Sequence, residues 1–262
     1  MTAGEAMVMP FSLQRQTALP CLAAVATTAS ILARVPRDKA LPLTPAELAR
    51  ARSFKSASAR DDLLASHVLA RVVASALSGV AADRLTLVQR CDACGGAHGR
   101  PFFAGHPGLH VSLSHSGGVV AAAASEHSVG IDVEAWCHAH RFEELWRSGI
   151  FSAAEIAWLA SRSRARAHQH DGADGISRFE SAALRLWVRK ECLVKLGRLD
   201  IDRLDSCDLS SLPMTETAST SSVDHDGLSI TDWCDTARAV SGAVVSRHRA
   251  EVVFVADLAP AR

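Results

Sequence analysis

Residues 129–134 read Val-Gly-Ile-Asp-Val-Glu, and the rest of the chain is best interpreted outward from this stretch. Its apolar and polar positions alternate, which predicts a β-strand with apolar side chains on one face. The carboxylates of Asp132 and Glu134 then leave the opposite face of the same strand. Two carboxylates in this arrangement usually lie on the solvent-exposed face of an edge strand. A third acidic group is therefore needed before a metal site is predicted.

A β-hairpin is predicted immediately upstream of this strand. Apolar and polar residues alternate over 109–114, Ser-Gly-Gly at 116–118 supplies a turn, and an apolar strand returns over 119–124. Ser114 and His115 do not predict a Ser-His-Asp hydrolase, because adjacent strand residues point to opposite faces and no Gly-x-Ser-x-Gly motif surrounds the serine. The hydroxyl, the imidazole and the glycine amides are suited instead to an oxyanion such as phosphate, with a polar turn that binds no ligand as the alternative.

The third acidic group comes from a helix predicted over 179–196. Trp187, Glu191 and Lys195 are spaced by four residues and therefore project from one face of this helix. A Glu–Lys pair at this spacing is common on solvated helices, although the neighbouring tryptophan favours a buried face. Together with the two strand carboxylates, Glu191 supplies three oxygen ligands of the kind that hold Mg²⁺ while substrate phosphates and waters complete an octahedron.

Further helices and strands are predicted on both sides of this region. A helix is predicted over 46–77, where Thr44-Pro45 offers an N-cap followed by proline at the first helical position, and the run 53–58 is a candidate break. Ser152 and Glu155 have the spacing of a capping box and predict the start of another helix. The remaining predictions are strands over 239–245 and 251–255, a flexible insertion over 160–178 and a loop over 206–226.

The composition is that of an ordinary globular protein. The chain has 262 residues, of which 48% are hydrophobic and 21% charged, and 28 Lys and Arg balance 28 Asp and Glu. A net charge of zero argues against a protein held on nucleic acid by bulk charge. The apolar run 19–33 is too short and polar to span a bilayer, and the proline within it does not fit a signal peptide. No nucleic acid and no membrane are therefore expected as partners.

Seven cysteines are scattered along the chain. An odd number in a chain of this length is typical of reduced thiols, which predicts a cytoplasmic protein. Cys91-x-x-Cys94 with His98 could start a zinc site, but a structural zinc needs four ligands, and His106 or His110 would have to complete the set. A small zinc-stabilised interaction domain therefore stays open as an alternative function.

Five short motifs follow one another between residues 99 and 195. They are Gly99-Arg100-Pro101, Leu113-Ser114-His115-Ser116-Gly117, Gly130-Ile131-Asp132-Val133-Glu134, Phe151-Ser152-x-x-Glu155 and Trp187-x-x-Lys190-Glu191-x-x-x-Lys195. In this order they resemble the 4′-phosphopantetheinyl transferase superfamily, and within it the surfactin-synthetase-activating type. The predicted helix over 46–77 also resembles the N-terminal half of that family.

The resemblance implies a fold and an activity. The fold would be α+β, with two subdomains related by a pseudo-twofold axis over residues 1–125 and 126–262, each a small antiparallel sheet packed with a long helix. The family transfers the phosphopantetheine arm of coenzyme A to a serine of an apo acyl or peptidyl carrier protein and releases adenosine 3′,5′-bisphosphate. Service to polyketide or nonribosomal peptide synthesis is implied. Because two related halves in one chain need no second copy, a monomer is expected.

The resemblance also implies roles for particular residues. Asp132, Glu134 and Glu191 match the Mg²⁺ ligands, with Mn²⁺ as an alternative ion. Glu191, or a water that it orients, would take the proton of the carrier serine, and Lys195 matches the lysine that holds the pyrophosphate. Glu191 and Lys195 are thus the expected catalytic residues. Coenzyme A contacts are expected at Arg50, Arg100, Ser114, His115, Lys190 and Lys195.

Two positions depart from the family's pattern. Asp62 stands where many members have an arginine that helps to bind a coenzyme A phosphate, and His67 stands where they often have another arginine. A carboxylate at the first position should repel phosphate. Either Arg60 replaces it, or Arg50 and Arg52 carry more of the positive charge, or the affinity for coenzyme A is reduced. A coenzyme A-binding protein without catalysis is therefore the second alternative.

The insertion over 160–178 is longer than in compact members of the family. We expect its arginines to contact an acidic helix of the carrier protein. They are Arg162, Arg164 and Arg166.

Overall fold

A computed structural model shows two packed β-sheets with a long helix on the outer face of each. The two sheets are hydrogen-bonded in the orders β10-β1-β5-β4-β3-β2 and β6-β9-β8-β7. The strands are β1 Cys21–Thr27, β2 Leu87–Gln89, β3 Pro101–Phe103, β4 His110–Ser116, β5 Val119–Ser125, β6 Val129–Ala135, β7 Ser221–His225, β8 Leu228–Asp235, β9 Val240–Ser246 and β10 Glu251–Phe254. The structure describes residues 12–14, 18–35, 43–91, 94–96, 99–137, 149–164, 176–214 and 220–256.

The described part of the chain contains five α-helices and short 3₁₀ segments. The helices are α1 Thr28–Ala33, α2 Pro45–Ser53, α3 Ala57–Ser78, α4 Ala153–Arg164 and α5 Arg178–Lys195, and the 3₁₀ segments are Ala82–Arg84 and Ile201–Ser206. No helix among these residues is long and apolar enough to cross a membrane.

Helix α3 covers the outer face of the first sheet. Leu69 and Val73 are fully buried and pack with apolar residues of β1, β4 and β5. The predicted break between α2 and α3 is confirmed, because Phe54 and Ser56 have extended backbones, and the hydroxyl of Ser56 caps α3 by accepting from the third amide of the helix. The helix ends at Gly79, whose φ of 74° lies in the left-handed region that glycine adopts without strain.

Helix α5 covers the outer face of the second, antiparallel sheet. Leu184, Val188 and Cys192 are fully buried there against β8 and β9. The predicted capping box before α4 is confirmed: the amide of Glu155 donates to Ser152 Oγ at 3.1 Å, and the amide of Ser152 donates to Glu155 Oε2 at 2.8 Å. Helices α4 and α5 pack against each other beside the second sheet.

The inner faces of the two sheets share one apolar core. Val25 and Ala121 of the first sheet pack with Ile131, Val133 and Trp233 of the second, and all five are at most 1% exposed. Burial of this kind stabilises the folded chain by removing apolar surface from water. The two halves are therefore joined by a common core.

Three serines of β4 bind the outer edge of β6. Ser112, Ser114 and Ser116 accept hydrogen bonds from the amides of Ile131, Val133 and Ala135 at 3.1, 3.3 and 3.0 Å. We call these three residues the serine strip. Strand β6 is at the edge of its sheet and pairs with β9 on its other side. The serine strip therefore accepts hydrogen bonds from backbone amides of β6 that have no partner strand. It also fixes the position of β6 relative to the first sheet.

The hairpin β4–β5, the strand β6 and the strands β9 and β10 were predicted and are confirmed. Other elements differ from the expectations. The apolar run 19–33 forms the buried strand β1 and helix α1, and the predicted loop over 206–226 contains strand β7, whereas 215–219 lies outside the described residues. The insertion over 160–178 is described at its two ends, where it belongs to α4 and α5, and 165–175 lies outside the described residues.

The first sheet is mixed, not purely antiparallel as predicted. Strand β10 runs parallel to β1, with Leu22 opposite Glu251 and Val25 opposite Phe254. Since β10 belongs to the second half of the chain, a boundary at residue 125 does not separate the two sheets completely. The long connection through the second sheet returns the chain to the first one.

Candidate functional site

The predicted carboxylates lie where α5 approaches β6 most closely. Gly130 makes this approach feasible, because a Cβ atom at that position would lie 3.0 Å from the carbonyl carbon of Cys192 and still closer to its oxygen. The glycine of the Gly-Ile-Asp-Val-Glu motif therefore lets the helix backbone rest on the strand. Glu191 and Lys195, on either side of this contact, are thereby held next to Asp132.

The ammonium group of Lys195 joins helix α5 to the two strands β4 and β6. Its Nζ donates to Asp132 Oδ1 and to the carbonyl oxygen of Ile131, each at 2.8 Å, and to the carbonyl oxygen of Leu113 at 3.3 Å. Burial opposes the charged form, but the nearby negative groups outweigh it, Asp132 foremost, and raise the pKa of Lys195. The lysine is therefore a fixed cation at the junction of β4, β6 and α5.

The serine strip also holds the two strand carboxylates. Ser114 Oγ donates to Asp132 Oδ1 at 2.7 Å, and Ser116 Oγ donates to Glu134 Oε1 at 2.8 Å. Each hydroxyl thus accepts from a β6 amide and donates to a carboxylate of the same strand. The spacing of the two carboxylates along β6 is matched by the spacing of the two hydroxyls along β4.

Glu191 faces the same group of charges from α5. Burial raises the pKa of Glu191, the charges of Asp132 and Glu134 raise it further, and Lys195 opposes the rise. The predicted carboxylates therefore lie close enough to influence one another. This arrangement concentrates negative charge at one place.

The chemistry of these donors fits a hard divalent cation. Asp132, Glu134 and Glu191 offer carboxylate oxygens, which Mg²⁺ and Mn²⁺ prefer, and their mutual repulsion would be relieved by such an ion. Among the described residues, however, no group of three or more His, Cys, Asp or Glu side chains is already arranged around a common metal position. Side-chain rotation would have to bring the three carboxylates together.

A cleft of about 360 Å³ adjoins Lys195 and is formed by both halves of the chain. Gln89, Arg100 and Ser112 line it from the first sheet, and Val129 and Lys195 line it from β6 and α5. Two cations in its lining make it suitable for an anionic ligand. The structure therefore brings Arg100 and Lys195 to one cavity.

Arg50 and His115 flank this cleft on the side of the N-terminal helices. Arg50 Nη1 donates to Oε1 of Gln89, a cleft residue, and burial lowers the pKa of the guanidinium. His115 is partly exposed; its pKa is lowered by burial and, despite an opposing effect of Asp62, by the nearby Lys195 and Arg50. These two expected contacts therefore lie close to the site's other cations.

The two unusual residues of α3 have separate environments. Asp62 is 8% exposed, its Oδ1 accepts from Thr28 Oγ1 at 2.5 Å, and its Oδ2 lies 3.9 Å from Nδ1 of His115. His67 points into the interior, where its Nδ1 lies 2.7 Å from Oε1 of Glu47. Arg60 pairs at the surface with its neighbour, Asp61. Of the proposed substitutes for the missing arginine, Arg50 is thus the one that contacts a cleft residue.

Lys190 does not face the cleft. Its Nζ is fully buried and donates to Glu155 Oε2 at 2.6 Å and to the carbonyl oxygens of Ile150 and Leu204 at 2.9 and 2.8 Å. All three ammonium hydrogens therefore have acceptors inside the protein. This placement corrects the expectation that Lys190 contacts coenzyme A, because residues 190 and 191 project from the helix about 100° apart.

The two cysteines of the zinc hypothesis lie in the turn between β2 and β3. The amide of Gly96 donates to Sγ of Cys94 at 3.4 Å, and the amide of Cys91 donates to the carbonyl oxygen of Gly96 at 2.9 Å. His98 lies outside the described residues, and the described ones contain no group of three potential metal ligands. The zinc site therefore stays untested. None of the seven cysteines forms a disulfide.

Of the insertion's arginines, Arg162 lies over the ring of Trp158, 4.2 Å from its centroid, and Arg164 ends α4. Arg166 lies outside the described residues. The expected contact with a carrier helix stays a prediction.

Three residues at the site were not identified from the sequence. Ser112 and Ser116 repeat the alternation of Ser114, so the pattern Ser-x-Ser-x-Ser would have placed all three hydroxyls on one face of β4. Gln89 had no such signal, because its contact with Arg50 joins residues 39 positions apart in the chain.

Residues 128–245 match the family model described as the 4′-phosphopantetheinyl transferase superfamily. The match covers less than half of the chain and contains Asp132, Glu134, Glu191 and Lys195. It supports a transferase. A comparison with curated proteins found no significant match.

Proposed function

We propose that the protein is a 4′-phosphopantetheinyl transferase of the surfactin-synthetase-activating type. It would transfer the phosphopantetheine arm of coenzyme A to a serine of an apo acyl or peptidyl carrier protein. The observation that carries this proposal is the junction of three elements, where Lys195 and Ser114 both bind Asp132 beside a cleft lined by Arg100. The matched stretch 128–245 supplies the carboxylates and the lysine of this junction.

The architecture supports the same proposal. Each sheet carries one long helix on its outer face, α3 on the first and α5 on the second, and the cleft lies between the halves. This arrangement supports a pseudo-twofold relation between two subdomains, although the first sheet has six strands and the second has four. A ligand in the cleft would contact both halves at once.

The transfer requires one bond to form and one to break. The oxygen of the carrier serine bonds to the phosphorus next to the pantetheine arm, and the bond from that phosphorus to the bridging oxygen of the pyrophosphate breaks. Adenosine 3′,5′-bisphosphate leaves with the bridging oxygen. We assign the proton of the serine hydroxyl to Glu191, directly or through a water that Glu191 orients.

Lys195 would hold the pyrophosphate. Its ammonium is fixed by Asp132 and two carbonyl oxygens at the edge of the cleft, but unlike that of Lys190 the side chain is partly exposed. A phosphate there would meet a cation whose position is already set and would share or replace one of these acceptors. Asp132, Glu134 and Glu191 would hold Mg²⁺, or Mn²⁺ in its place. The chemistry that this ion supplies when bound is neutralisation of charge on the leaving phosphate.

The remaining cations would bind the nucleotide part of coenzyme A. Arg100 lines the cleft, and Arg50 is joined to it through Gln89. Ser114 and His115 lie next to each other on β4, with the serine toward β6 and the histidine toward α3. The carboxylate of Asp62 accepts a hydrogen bond from Thr28 Oγ1 and lies 3.9 Å from Nδ1 of His115, so it already has partners within the protein.

The decisive experiment is intact-mass spectrometry of an apo carrier protein after incubation with coenzyme A, Mg²⁺ and this protein. We expect the mass of the carrier to increase by one phosphopantetheine, and we expect chelation of the metal to abolish the increase. Glu191→Gln should lose it as well, whereas Asp83→Asn, an exposed carboxylate outside the cleft, should retain it. Coenzyme A that is bound but not consumed by any carrier would instead support the non-catalytic alternative.

A further inference from the structure

The chain crosses between the two sheets at two turns that lie side by side. One crossing joins β5 of the first sheet to β6 of the second, and the other joins β9 of the second sheet to β10 of the first. Each turn carries a histidine, His127 in the first crossing and His248 in the second. The centroids of their rings lie 5.3 Å apart, with 40° between the ring planes. We call these two residues the histidine pair.

The backbone at both histidines is held by a serine two positions earlier. Ser125 is the last residue of β5, and its Oγ accepts from the amide of His127 at 3.1 Å. Ser246 is the last residue of β9, and its Oγ donates to the carbonyl oxygen of His248. Both hydroxyls also lie within hydrogen-bonding range of the thiol of Cys21, which is fully buried at the start of β1. The two turns are therefore fixed to one point of the core, and the fold sets the separation of the histidine pair.

This separation is that of two imidazoles bound to one metal ion. A zinc–nitrogen bond of about 2.0 to 2.1 Å places the centre of the ring about 3 Å from the ion, so two rings at a tetrahedral angle have centres about 5 Å apart. The observed tilt also departs from the parallel stacking of a simple ring contact. Rotation of each ring about its own side-chain bonds would direct one nitrogen to a shared ion.

Solvent and ions can reach the histidine pair. His248 is exposed and His127 is half-buried. Among the described residues no group of three His, Cys, Asp or Glu ligands is in place, so two protein nitrogens and waters would make up the shell. Arg247 and Arg249 flank His248, but both are exposed, so solvent screens their repulsion of a cation. Glu126, also exposed, precedes His127 and opposes that repulsion.

We propose that the histidine pair is a binding site for a divalent transition metal ion such as Zn²⁺, with one ring nitrogen of each histidine as its protein ligands. Imidazole nitrogen suits such ions, whereas Mg²⁺ prefers the oxygen ligands that the carboxylates at the cleft offer. The bound ion would join the two crossings and thereby hold the two sheets together. This inference does not depend on the proposed function.

The test titrates Zn²⁺ into the wild-type protein in excess Mg²⁺ and follows binding by calorimetry and by thermal unfolding. We expect the Tm to rise with Zn²⁺, because a ligand that binds only the folded state stabilises it. His127→Gln and His248→Gln should each weaken binding by about tenfold or more and abolish the rise in Tm, since each removes one of two ligands. The matched control is His225→Gln, which removes a histidine that pairs with Asp226 and should bind Zn²⁺ like the wild type.

The cysteines of the turn between β2 and β3 need a separate control, because thiolates also bind zinc ions. Cys91→Ser/Cys94→Ser should keep both the Zn²⁺ affinity and the rise in Tm. Binding that is lost in this variant and kept in the histidine variants would overturn the proposal. Loss of binding in only one of the two histidine variants would overturn it as well, because a shared ion requires both rings.

Urea unfolding without Zn²⁺ separates metal binding from packing of the rings. The two histidine variants should then be as stable as the wild type, since their backbones are held by the serines and not by the rings. A loss of stability without Zn²⁺ as large as the loss seen with it would show that the histidine pair acts by packing alone, and would contradict the metal site.

Discussion

Gly130 sets the distance between the strand that carries two of the site's carboxylates and the helix that carries the third. In Gly130→Ala the added methyl would meet the backbone of Cys192, which cannot rotate away as a side chain does. We expect the free energy of unfolding to fall by about 1 to 3 kcal/mol, the usual range for overpacking, and transfer activity to be lost. Urea unfolding measures the first effect. Gly108→Ala is the control, since a Cβ there meets no atom within 4 Å, and equal stability of the two variants would contradict the expectation.

Glu47 links α2 to α3 and should make the stability depend on pH. Burial by itself would raise the pKa of Glu47, but hydrogen bonds from His67 and Arg71 and the charge of Arg71 outweigh burial and lower the pKa to about 2. A carboxylate with a lowered pKa stabilises the folded state above its unfolded pKa of about 4.5. This stabilisation is lost as the pH falls from 4.5 to 2.

The corresponding variant is Glu47→Gln. It should be less stable than the wild type at pH 7, and the difference should shrink by roughly 2 to 3 kcal/mol between pH 7 and pH 2, as expected for a pKa shift of this size. Urea unfolding at several pH values measures it. A difference that stays constant over this range would show that Glu47 is not ionised in the way its contacts require.

The spacing of residues in the sequence identified the charged groups of the site, but it did not identify the residues that surround them. Asp132 and Glu134 follow from the period of two in a strand, and Glu191 and Lys195 follow from the spacing of four in a helix. Lys190 was taken with its neighbour because it stands in the same motif. The turn of 100° between successive helical residues directs it instead to a different face of α5 and into the interior.

Helix α5 is held in its rotation by a buried ion pair to α4. Glu155 accepts from Lys190 Nζ and from the amides of Ser152 and Leu209, so one carboxylate joins the start of α4, the middle of α5 and the segment after it. Loss of one partner leaves the other charge buried without compensation. Because Glu191 is the next residue, any rotation of α5 would also move the site.

Lys190→Met should therefore lower the free energy of unfolding by about 3 to 5 kcal/mol, the range for a broken buried pair. Glu155→Gln should be destabilised too. The double variant Lys190→Met/Glu155→Gln should be less destabilised than the sum of the single variants, because neither charge is then left alone. A double-mutant cycle by urea unfolding measures this coupling, and strictly additive effects would argue against the pair's role in holding α5.

Strands β4, β5, β6, β9 and β10 were predicted from the sequence, whereas β1 and β8 were not. Strand β6 alternates and was recognised. Strand β1 lies between α3 and the second sheet, so its residues are apolar throughout and show no period. Strand β8 was missed because it buries polar residues: Asp232 is fully buried and accepts from Arg185 and Arg189, 47 and 43 residues away in the chain. Only the folded chain shows that these charges compensate each other.

At the scale of the whole molecule, the last strand of the described chain joins the same sheet as the first strand. Strand β10 pairs with β1, and a core shared by the inner faces joins the two sheets. The match to a family model over 128–245 begins just before β6 and ends before β10. It therefore omits β4, which supplies the hydroxyls at Asp132 and Glu134, and the strand that completes the first sheet. The proposed activity needs both parts of the chain.

The serine strip has a consequence for solubility as well as for the site. A strand at the edge of a sheet presents unpaired amides to which a strand of another molecule can add, and this is a common route to aggregation. The hydroxyls of Ser112, Ser114 and Ser116 occupy those amides on β6. A substitution that removes one of the hydroxyls bound to a site carboxylate would also leave a buried amide of this edge without its acceptor. Strand β4 and its three serines thus close this edge to intermolecular strand addition.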